Sequence, residues 1–124
     1  MDKETFIDLV GEAVEGLPEE FRARLENVAI VVADYPSQEQ IKQAGLRERQ
    51  TLLGLYQGVP LTKRGAHYGM VPPDKITIFQ KPIEARCKNE SRIVAEIRRV
   101  VRHEIAHHFG IGDGRLRELE EGNR

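Results

Sequence analysis

Residues 90–113 read ESRIVAEIRRVVRHEIAHHFGIGD, and the fold depends on how this stretch is taken. Ile93, Val94, Ile97, Val101 and Ile105 recur at three- and four-residue spacing, which predicts a helix from about Glu90 to Phe109 with one apolar face. Gly110 can adopt the positive φ that ends such a helix and swings the chain back. At about 100° per residue, His103 and His107 lie about 40° apart, so both imidazoles project from one face of the helix. Glu104 stands about 100° round from His103, beside the pair rather than between its members.

Two imidazoles at positions i and i+4 can grip one metal ion. The offset of Glu104 keeps it from ligating, yet leaves it close enough to take a proton from a water that the metal activates. Zinc is the expected ion, since nitrogen ligands plus one oxygen, with a fourth position open, make its catalytic arrangement. The chain beyond Gly110 offers the oxygen: Asp113 completes H-E-x-x-H-x-x-G-x-x-D, the spacing of the long zinc motif of metzincins with aspartate replacing the third histidine. Asp113 has a second reading, as the cap of a short helix from Gly114 to about Glu121.

The rest of the sequence frames this helix. The chain has 124 residues, 40% apolar and 31% charged, with a net charge of −1, which fits one domain spanning 1–124. A lone cysteine, Cys87, excludes an intramolecular disulfide and suits a reducing compartment, so a cytoplasmic location is expected. No apolar run approaches the ~18 residues of a membrane span, and the first residues lack the basic-then-apolar order of a signal peptide. Eight acids and three bases fall in 1–26, against twelve bases and six acids in 37–100. Those bases are interleaved with acids and lack neighbouring aromatics, which argues for solubility and against nucleic acid as a partner.

Phe6, Leu9, Val10, Ala13 and Val14 predict an opening amphipathic helix ended by Gly16, and Pro18 restarts a short one as far as about Leu25. Asn27–Tyr35, NVAIVVADY, reads as a strand covered on both faces and central in its sheet. Ser37 with Gln40 resembles a capping box opening a helix from Gln38 to about Ala44, closed by Gly45. Thr51–Leu61 reads as a strand with a bulge or turn near its end, and 62–74 as a Gly/Pro-rich loop long enough to suggest a function. Lys75–Ile83 begins as an alternating strand, with Ile76, Ile78 and Gln80 on one face, and Pro82 marks its end or an exposed edge. The class that follows is α+β, a small mixed sheet packed on helices, with the metal motif on a long C-terminal helix.

Three stretches taken together, GLYQGVPL at 54–61, PDKITIF at 73–79 and HEIAHHFG at 103–110, resemble the small bacterial zincin-like metallopeptidases. The resemblance runs from about residue 10 to 121. It implies a zincin-type fold, zinc held by His103, His107 and Asp113, and Glu104 as general base; it does not imply a known substrate, and the expected partner is a peptide or protein of unspecified identity. Two departures stand out. Met1 and Met70 both precede the motif, so the methionine turn of metzincins is absent, and only eleven residues follow Asp113, too few for the far wall of a larger zincin's cleft.

The remaining polar residues divide more evenly. Tyr68, His67 or Arg64 could donate to an oxyanion if the loop folds over the cleft. His108 reads as a packed, hydrogen-bonded histidine, and Glu96 as a residue at the cleft rim. Arg98, Arg99 and Arg102 read as solvent-facing and Cys87 as structural. The expected activity is hydrolysis of peptide bonds with water activated by the metal, the substrate lying along a sheet edge from 51–61 or 75–80. The alternatives are a non-catalytic metal-binding or protein-interaction module, and a metal-dependent hydrolase of another substrate.

Overall fold

The computed structural model describes residues 1–45, 51–58 and 74–110. Among these residues the elements are, in order, α1 (Lys3–Glu15), α2 (Glu19–Arg24), β1 (Val28–Ala33), α3 (Gln38–Gln43), β2 (Gly54–Gly58), β3 (Asp74–Phe79), α4 (Gln80–Arg86) and α5 (Glu90–Phe109). This is an α+β arrangement, a three-stranded mixed sheet with helices against it.

Local signals set most of the helix ends. The Asp2 carboxylate accepts from the Thr5 N–H at the start of α1, and Phe6, Leu9, Val10 and Ala13 form its buried stripe. Ser37 and Gln40 make the reciprocal capping box of α3, and Gly45 follows with φ +69°. In α5 the Asn89 side chain accepts from the Arg92 N–H, and Gly110 stops the helix at φ +68°. Pro18 sits as the N-cap of α2, one residue earlier than its expected first-turn position.

The strand order is β1-β3-β2, with β1 parallel and β2 antiparallel to β3. Two expectations are corrected here. Among the described strands β1 stands at an edge, not at the centre, and none of its residues is fully buried; Val31 is 39% exposed. β3 is central, and both its faces are covered: Ile76 and Ile78 enter the main core, while Thr77 at 3% and Phe79 at 0% exposure are buried on the other side. Flanking by two strands removes β3 as a substrate edge. The strand also ends at Phe79, because Gln80 and Pro82 belong to the first turn of α4, where proline's missing N–H leaves no hydrogen bond unmade.

The core lies between the sheet and the α1/α5 pair, where Phe6, Phe21, Ile76, Ile83, Ile97, Val101 and Ile105 are completely or almost completely buried. Arg98 fastens the two helices and is not solvent-facing as its helix position suggests. Its Nε donates to the Ala13 carbonyl at 3.1 Å and Nη2 to the Glu12 carbonyl at 3.5 Å, the latter shared with the Gly16 N–H, so the cation sits at the negative end of the α1 dipole. A Cβ on Gly16 would stand 2.2 Å from Arg98 Nη2, so only glycine admits the guanidinium there. No helix among the described residues is long and apolar enough to cross a membrane.

Candidate metal centre and cleft

The last three turns of α5 form one wall of a cleft of about 510 Å³, and β2 lies across its floor. His103 and His107 line it from α5, both exposed, with ring centroids 5.4 Å apart. The i, i+4 geometry thus brings the two imidazoles side by side at a solvent-accessible opening. As donors they fit two of the three protein positions of a catalytic zinc site. Asp113, the expected third ligand, lies outside the described residues, as do Arg64, His67 and Tyr68. Among the described residues no three of His, Cys, Asp and Glu converge in a way that holds an ion.

Glu104 is half-buried under β2, and its Oε1 accepts from the Tyr56 N–H at 3.0 Å. Burial pushes its carboxyl above the ordinary value, against the opposing pull of the Tyr56 N–H and of His103 and His107. The hydrogen bond fixes which way β2 faces. The Leu53 carbonyl accepts from the Phe79 N–H of β3, so in an alternating antiparallel ladder Gly54, Tyr56 and Gly58 turn their backbone groups outward, to an edge that no other described strand pairs with. Gly54 allows this edge to lie so close to α5. A Cβ there would meet Val100 Cγ1 at 2.5 Å.

Tyr56, Asp74 and His108 form a cluster at the end of the cleft. The Tyr56 hydroxyl donates to Asp74 Oδ2 at 2.6 Å, and its ring stacks on His108 with centroids 3.8 Å apart. His108 Nε2 stands 3.9 Å from the same Asp74 oxygen. Burial first, then the Asp74 carboxylate, pushes the Tyr56 hydroxyl well above its ordinary range, which keeps it a donor. His108 is therefore stacked and beside a carboxylate, but it is exposed rather than sealed in the core. Sequence reasoning assigned no role to Tyr56 or Asp74. Their only signal was membership of the two stretches 54–61 and 73–79, which the structure joins as the paired strands β2 and β3.

At the other end Glu96 pairs with Arg99, whose Nε donates to Glu96 Oε1 at 2.8 Å and whose Nη2 contacts the same oxygen. Glu96 is thus turned to a guanidinium and makes no hydrogen bond to either imidazole among the described residues. Cys87 packs with its Sγ 3.6 Å from the Arg92 carbonyl, and burial pushes its thiol up, away from the thiolate form that reacts.

A family described as zincin-like metallopeptidase matches residues 25–123 of this chain. Curated proteins give no significant match. Among solved structures, the chain is similar to a conserved hypothetical protein of Thermus thermophilus, with a TM-score of 0.57 and 24% identity over 88% of this chain and 94% of the other. At that identity the likeness shows the fold alone, and the fold is the α+β arrangement described above.

Proposed function

Because the chain belongs to the zincin-like metallopeptidase family, we propose that it is a zinc-dependent peptidase whose general base is Glu104. One observation carries the proposal: a half-buried carboxylate stands beside two solvent-facing imidazoles, directly under the edge of β2 that no other described strand pairs with. A purely structural metal site has no need of that carboxylate.

In this reading His103 and His107 hold the ion from α5, and Asp113 is the third ligand. Bound zinc supplies the Lewis acid that polarises a scissile carbonyl and acidifies the attacking water. Glu104 takes the proton from that water and hands it to the leaving amine. The outward backbone groups of Gly54, Tyr56 and Gly58 pair with an extended peptide, except that the Tyr56 N–H already serves Glu104. The hydrogen bond from a rigid strand orients the base before substrate arrives.

The test compares three zinc-reconstituted proteins for metal content and for cleavage of a peptide library. Glu104→Gln should keep zinc and lose about 10²- to 10⁴-fold in kcat. His103→Ala should lose both metal and turnover. Undiminished cleavage by Glu104→Gln would rule out the mechanism, and stoichiometric zinc with no peptide cut by the wild type would favour a binding module.

A further inference from the structure

Toward the N-terminal part of α5 the lining of the cleft changes from imidazole to guanidinium. Arg99 stands one turn, about 5–6 Å along the axis, before His103, and Arg86 lines the same cleft from the end of α4. Leu52, Leu53 and Val100 add apolar lining to the same cleft. The two cations differ in how they are held. Arg99 is pinned, since Nε and Nη2 both engage a single oxygen of Glu96. Its Nη1 has no partner among the described residues. Arg86 forms no hydrogen bond or ion pair with a carboxylate among the described residues.

Among the described residues, two guanidinium groups stand against the one carboxylate of Glu96 at this end of the cleft, a surplus of positive charge. An arginine fork matches a planar carboxylate in geometry as well as charge. Charges kept only for solubility have no reason to converge from two helices on one concavity, nor to be pinned there by a third side chain.

We propose that Arg86 and Arg99 form a subsite that takes a carboxylate of the substrate, one helical turn from His103. The word substrate rests on the peptidase reading. The carboxylate has two sources in a peptide, an aspartate or glutamate side chain or the C-terminal α-carboxylate.

The test measures binding, with the zinc-loaded Glu104→Gln protein and four short peptides of one sequence. Two carry glutamate and two glutamine at the same position, each with a free or an amidated C-terminus. Peptides with the recognised carboxylate should bind about fivefold tighter or more, and the member of the set that shows the difference identifies the source. The ratio should fall toward one when Arg86→Gln and Arg99→Gln are combined, and it should shrink as salt rises. Arg86→Glu, a change at an exposed position, should reverse the preference toward a lysine-containing peptide. Equal affinities for all four peptides, undetectable binding included, overturn the subsite, as does a preference that survives the double substitution. Cleavage by the wild-type protein is scored in parallel. A carboxylate preference without cleavage removes the peptidase reading and keeps the subsite, whereas cleavage without the preference does the reverse.

Discussion

Tyr56 ties three parts of the molecule together through three different groups. Its N–H holds Glu104 of α5, its hydroxyl holds Asp74 at the start of β3, and its ring stacks on His108 near the end of α5. These contacts can be separated by mutation. Tyr56→Phe removes the donor to Asp74 while preserving the ring, and should cost about 1–2 kcal/mol, the worth of a hydrogen bond to a carboxylate that is partly exposed. Tyr56→Ala also removes the stack and the buried part of the ring, for a loss nearer ~3 kcal/mol. Urea denaturation of the two variants measures both, and equal stabilities for Tyr56→Phe and wild type would show that the hydroxyl contributes nothing to the fold. At this scale the sequence was partly legible. His103, Glu104 and His107 follow from helical spacing alone, because their relation is set within a single turn. Tyr56 and Asp74 were not legible, because what links them is strand pairing across eighteen positions of sequence.

The closeness of β2 to α5 sets the position of the base, and Gly54 is where they touch most tightly. Gly54→Ala places a methyl 2.5 Å from Val100 Cγ1, so strand or helix must give way. The expected loss is about 1–3 kcal/mol, as for overpacking generally. Val100→Ala should relieve the clash, so the double variant should be more stable than the sum of the two single losses allows, and strict additivity in the cycle would disprove the contact. In the sequence Gly54 is only a glycine within a strand; its reason lies in a helix far along the chain. Strand rank failed for a related cause. The unbroken apolar run of β1 resembles that of a central strand, yet burial of a strand is decided by its neighbours, and β3 with its alternating start has two. Arg98 was missed because helical angle locates a Cβ and not the end of a long side chain, which here reaches the carbonyls of α1. Capping signals, being local, read correctly at α3 and α5.

For the whole molecule, the proposed metal links function to stability. His103 and His107 stand on the helix whose other face is the core, so anything that binds them in the native state and not in the unfolded chain draws the entire fold toward the native side. With free zinc at about 100 times its dissociation constant, the gain is about 2.7 kcal/mol. In a chain of this length that corresponds to a rise in Tm of roughly 10 °C. Thermal unfolding in zinc and in excess chelator should show this difference for the wild type and for Glu104→Gln, whose ligands are intact. His103→Ala should show little of it. A His103→Ala protein that gains as much from zinc as the wild type would place the metal elsewhere. A Glu104→Gln protein that gains nothing would make the glutamate a ligand and not a base, since only a ligand's loss removes the coupling between metal and fold.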